Sequence, residues 1–185
     1  RFLAIRRGQE EKVLNVKLVC DGTPLVARIE EMYNLDESSP FAAQLKLAAE
    51  FGLPVSIHTR EADADTLRLL DETPWDGTYF RGAIHCFTGG LEFSQELLDR
   101  RFAISFSGIV TFRNADALRA VAARIPEERL LIETDSPYLT PVPLRGQPNE
   151  PANVELVAAC LAETRGAAPE HIAECTWCNA DLIFK

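Results

Sequence analysis

No apolar run in this chain approaches the roughly 18 residues of a membrane-spanning helix, so a transmembrane α-helical class is excluded. The first twenty residues also lack the apolar stretch of a secretory signal, and the expected location is the cytoplasm. Positive charge is in deficit: 19 Lys and Arg stand against 28 Asp and Glu, a formal net charge of −9. Such a surface lacks the basic footprint of a nonspecific nucleic-acid binder, but it is compatible with an enzyme that meets phosphates locally through metal ions. The five cysteines are an odd number without framework spacing, which argues against a disulfide scaffold. Cys175 and Cys178 form a CxxC, read as buried or half-buried helix positions because no second cysteine pair or nearby histidine completes a zinc site. Histidine is scarce, with only His58, His85 and His171. Internal repeats and low-complexity segments are absent.

What is present is the pattern of an α/β protein. The chain has 185 residues, 46% of them hydrophobic, enough for one domain with a sizeable core. From residue 41 onward, strand and helix patterns alternate. Strands are expected at 54–58, 82–87, 103–107 and 130–134. Helices are expected at 41–51, 62–72, 91–101, 115–124, 151–165 and 169–184, with Asn114 placed to cap the fourth. Repeated βα units imply parallel strands. Residues 1–40 differ: they hold one strand candidate at 16–20 and one helix candidate at 25–33. The domain division is therefore 1–40 and 41–185.

Three of the expected strands end in chemistry. PVSIHTR ends with His58, GAIHCFTG carries His85, and LLIETDSPY carries Glu133 and Asp135. The carboxyl ends of buried strands are where α/β folds place their sites, and His, His and Asp are all competent ligands for a divalent metal. Cys86, beside His85, should point the other way and pack. His171, in the first turn of the last helix, is read as a surface residue.

The stretches QLKLAAEFGLPVSIHTREA (44–62), IHCFTG (84–89), SGIVTFRNA (107–115), RLLIETDSPYL (129–139) and RGQPNEPANV (145–154) resemble the C-terminal part of the TatD family of metal-dependent deoxyribonucleases. The resemblance implies a (β/α)8 TIM barrel of the amidohydrolase-like type that binds two divalent metals and hydrolyses DNA phosphodiester bonds. By that resemblance His58, His85 and Asp135 are similar to metal ligands for Mg, Mn or Zn. Asp135 would also be catalytic, orienting or deprotonating the attacking water. Glu133 lies two residues before Asp135, on the same side of a strand. It is either a partner that orients a ligand histidine or an acid paired with Arg60 or Arg113. Arg60, Arg113, Arg145 and Asn149 follow presumed strand ends and are candidates for contacts to phosphate oxygens.

The chain also departs from the family pattern. Its histidines include no HxH, so the ligands of the family's first strand are missing. Residues 31–36, EMYNLD, echo the family's Glu-bearing strand only faintly, and Glu31 is not carried over. The expectation is an incomplete barrel whose activity on DNA is impaired and whose exposed sheet edges favour self-association. Two alternatives stay open. One is an inactive remnant serving as a scaffold or partner-binding protein. The other is an amidohydrolase-like hydrolase with a different substrate.

Overall fold

The computed structural model describes residues 40–75 and 80–184; the strand and helix expected at 16–20 and 25–33 lie outside the described residues. Four parallel strands form one sheet in the order β1-β2-β3-β4: β1 (Val55–His58), β2 (Gly82–His85), β3 (Phe102–Phe106) and β4 (Leu130–Ile132). Helices α1 (Pro40–Glu50), α2 (Asp63–Glu72), α3 (Leu91–Asp99) and α4 (Asp116–Ala122) alternate with them, and α5 (Val154–Arg165) and α6 (Pro169–Phe184) follow. This is the α/β architecture with a parallel sheet that the repeated units imply, a barrel-type arrangement in which the described strands leave the barrel incomplete. None of the described helices is long and apolar enough to cross a membrane.

Strand alternation sorts the side chains onto two faces. Ile57, Ile84, Phe102, Ile104, Phe106 and Leu130 join the main core with Leu70, Leu97, Val157 and Leu161 from the helices. Ala83, Ala103 and Leu131 face the other way and pack with Phe80 and Ile183 in a smaller cluster. At Gly82, the first residue of β2, a Cβ would sit 1.9 Å from the Val55 carbonyl oxygen, so the close approach to β1 there requires glycine.

Polar side chains fasten the helices to the sheet. Arg100 forks onto Asp71 with both bonds at 2.7 Å, tying the end of α3 to α2. Asn179 on α6 donates to the carbonyls of Glu127 and Leu130, at 2.7 and 2.9 Å, and locates the start of β4.

Several boundaries differ from expectation. The second strand stops at His85, short of residue 87, because Cys86 (φ 51°) adopts left-handed backbone that turns the chain out of the ladder; the fourth stops at Ile132, short of residue 134, and Asp135 (φ 55°) turns the chain left-handed three residues later. Asn114 does not cap α4: the capping position is Ala115, and no side chain bonds the free amides there. Cys175 is half-buried as expected, but Cys178 is exposed, since it lies on the flank of α6 away from Ile172, Thr176, Asn179 and Ile183, which form its buried face. His171 is also a surface residue, paired with Glu127 at 2.9 Å.

Candidate metal centre

The carboxyl ends of the strands bring the predicted residues together through register. His58 and His85 are direct partners across β1 and β2. Parallel neighbours in register present their side chains on one face, and the two rings lie 5.8 Å apart between centroids. Ile84 is level with Ile104, so Ser105 on β3 continues the row; its register partner on β4 is Leu131, and Glu133, two residues further along on the same face, reaches back to Ser105.

Around His85 the row becomes a hydrogen-bonded chain. Ser105 Oγ donates to Glu133 Oε2 at 2.6 Å. His85 Nδ1 lies 2.8 Å from the same oxygen, and its Nε2 lies 3.1 Å from Asp135 Oδ1. The bond to Glu133 holds the imidazole above its ordinary pKa; burial opposes this, and the charges of Glu133 and Asp135 add to it. Glu133 is therefore paired with His85 and Ser105, and its alternative pairing with Arg60 or Arg113 is not formed.

Asp135 reaches His85 by a turn rather than by strand alternation. Its left-handed backbone swings the carboxylate back over Nε2, and the turn closes through a bond from the Tyr138 amide to the Asp135 carbonyl at 3.0 Å. Asp adopts this conformation more readily than most residues. Gly108 makes room for the segment that follows, since a Cβ there would fall 2.0 Å from the Leu139 carbonyl oxygen.

His85, Glu133 and Asp135 each offer a ligand atom, all within 4.8 Å of one another. Glu133 Oε1 is buried and has no hydrogen-bond partner among the described residues. Imidazole nitrogen and carboxylate oxygen suit Zn, Mn or Mg, and an unpartnered buried carboxylate oxygen is an unmet demand for a cation. The donor set fits a divalent metal. His58 stands beside this group and outside the 4.8 Å set.

The other candidates separate. Arg60 and Arg113 are exposed, and no hydrogen bond or ion pair among the described residues holds either one. Arg145 and Asn149 are engaged in holding the loop. Arg145 donates to the Thr140 carbonyl at 3.1 Å and lies 3.9 Å over the Phe112 ring. Asn149 is 5% exposed, and its amide group bonds backbone and Asn153 on every side, which leaves no donor for a phosphate. Cys86 packs as expected, buried against Ser107, where burial pushes its thiol up to about 11. Ser105 is the residue that sequence reasoning missed. Alternation along AISFS places it on the face of His85, but only the tertiary structure shows that its hydroxyl meets Glu133, two residues beyond its register partner Leu131.

The chain is similar to known proteins. The chain is 47% identical over 148 residues to the uncharacterized metal-dependent hydrolase YcfH of Escherichia coli K12, covering 80% of this chain and 55% of that protein. It is 41% identical over 149 residues to the 3'-5' ssDNA/RNA exonuclease TatD of Citrobacter rodentium, covering 78% and 56%. The chain thus spans about half the length of these curated relatives. Among solved structures, the TatD homologue YJJV of E. coli K12 superposes with a TM-score of 0.69 at 28% identity, over 91% of this chain and 61% of that one. With the family model for TatD related DNase matching residues 28–185, the chain belongs to the TatD-related DNase family.

Proposed function

We propose that this chain carries a divalent-metal site of a hydrolase that cleaves phosphodiester bonds in DNA. The observation that carries the reading is the paired environment of His85, with Glu133 on Nδ1 and Asp135 beside Nε2. His85, through Nε2, and Asp135 would hold the metal, with His58 as the adjacent donor. Glu133 orients the imidazole, and Ser105 fixes Glu133; a carboxylate on the far nitrogen of a ligand histidine sets its tautomer and raises its basicity.

A divalent metal in such a site supplies an activated water at neutral pH and polarises a phosphoryl oxygen. Asp135 accepts the proton of the attacking water and orients it. Arg60 and Arg113, exposed after β1 and β3, would contact phosphate oxygens of the substrate strand, while the acidic remainder of the chain gives little nonspecific attraction. The name of the Citrobacter relative supports single-stranded nucleic acid as the substrate class.

The test is hydrolysis of a labelled single-stranded DNA by the purified chain with Mn²⁺ or Mg²⁺, compared with Asp135→Asn. Metal-dependent cleavage that disappears in the variant supports the reading. Cleavage unchanged by the variant, or none at any metal concentration, would leave the scaffold alternative standing.

A further inference from the structure

We infer that Asn149 is a positioning residue that holds the Asp135 carboxylate where a divalent cation meets His85. This rests on the metal reading above, and it gives a different role to a residue whose sequence context suggested phosphate contact.

Beyond Ile132 the chain leaves regular structure until Pro151, so Asp135 is held by no helix or ladder of its own. Its backbone is left-handed, which Asp adopts more readily than most residues but which the loop's own bonds must hold in one place. One side chain supplies much of that restraint. Asn149 Nδ2 donates to the Thr134 carbonyl at 2.8 Å and to the Tyr138 carbonyl at 2.6 Å, so a single amide grips the backbone on both sides of Asp135. The Asn149 backbone amide adds a third bond, to the Pro137 carbonyl at 3.0 Å.

The clamp is itself fixed. Asn149 Oδ1 accepts from the Glu150 amide at 3.0 Å and from Asn153 Nδ2 at 2.9 Å. Asn153 immediately precedes α5, whose Val157 and Leu161 are fully buried in the core. The path therefore runs from the core through α5, Asn153 and Asn149 to both flanks of Asp135. Every polar atom of the Asn149 side chain is used, which is how a buried amide specifies one geometry.

The experiment measures Mn²⁺ binding to the full chain by electron paramagnetic resonance of the free ion, at a temperature where circular dichroism shows each variant folded. Asn149→Asp keeps the shape but removes both donors and sets a carboxylate against two carbonyl oxygens. It should weaken Mn²⁺ binding about tenfold or more, the scale found for groups that orient metal ligands. Asn153→Ala removes one support of the clamp but leaves both grips on the loop, and should weaken Mn²⁺ binding less than Asn149→Asp does. If Asn149→Asp does not fold, Asn149→Ser, which introduces no buried charge, is read the same way.

Wild-type affinity in folded Asn149→Asp or Asn149→Ser, with binding lost in Asp135→Asn, would overturn the positioning role and leave the metal reading intact. Wild type without Mn²⁺ binding, or Asp135→Asn binding as wild type does, would instead overturn the metal reading on which the inference stands.

Discussion

Replacing Glu133 by Gln tests the chain of bonds around His85 with almost no change of shape. With metal removed by chelator, His85 sits between two carboxylates and is best satisfied as the imidazolium, which donates from both nitrogens. Its folded pKa is raised, chiefly by the bond to Glu133. The linked stability is therefore fully present below the unfolded value near 6.5 and is lost as pH rises through the folded value.

In Glu133→Gln, the side-chain oxygen can keep the bonds from Ser105 and His85, but the bond to His85 is no longer one between charges. Bonds to charged groups contribute about 1.5–3 kcal/mol and neutral ones about 0.5–1.5, so the acid-side loss is about 1 kcal/mol. His85 is 32% exposed, which places the effect at the lower end of that difference. For a domain of this size 1 kcal/mol corresponds to about 2–4 °C in Tm. The new amide nitrogen would take the buried place of Oε1, exchanging one unpartnered polar atom for another, a change that does not vary with pH.

The constant part proves little; the pH-dependent part is diagnostic. Thermal unfolding in chelator from pH 5.5 to 8.5 should show wild type losing stability as pH rises and Glu133→Gln with a visibly flatter profile. Asp135→Asn should flatten it less, because Asp135 acts on His85 more weakly than Glu133 does. Parallel profiles for Glu133→Gln and wild type, or a larger change in Asp135→Asn, would refute the reasoning.

Two further outcomes follow from burial and close approach. Cys86, whose thiol burial pushes up to about 11, should resist a thiol reagent at pH 8 in the native protein, whereas exposed Cys178 reacts; peptide mapping before and after urea distinguishes them. Gly108→Ala would drive a methyl group into the Leu139 carbonyl and force the Asp135 loop to move, lowering stability by about 1–3 kcal/mol in urea unfolding and weakening Mn²⁺ binding.

Much of the fold was legible because apolar periodicity is a local property. Four strands and six helices fall close to where alternation and helical spacing place them, and the gathering of His58, His85 and Asp135 at one end of a parallel sheet follows from each lying at or just after a strand's carboxyl end. Errors concentrate where the backbone leaves regular conformation. Cys86 and Asp135 read as continuations of their strands, but both turn left-handed, and no local pattern announced it. The same limit explains Asn149 and Arg145. Polar residues in a loop look available to a ligand until the loop folds back and consumes their hydrogen bonds.

What the sequence alone determined is the alternation of elements and the type of donor at each strand end. Side-chain chemistry is written in residue identity, and burial follows period. The tertiary structure decided which donors touch. Strand register set His58 beside His85, a diagonal across β3 and β4 brought the Ser105 hydroxyl to Glu133, and a left-handed turn brought Asp135 onto the far side of the imidazole. Register and turn geometry are settled by packing between segments far apart in the chain, such as Asn149 against Thr134 and Gly108 against Leu139, and such pairings leave no trace in the local order of residues.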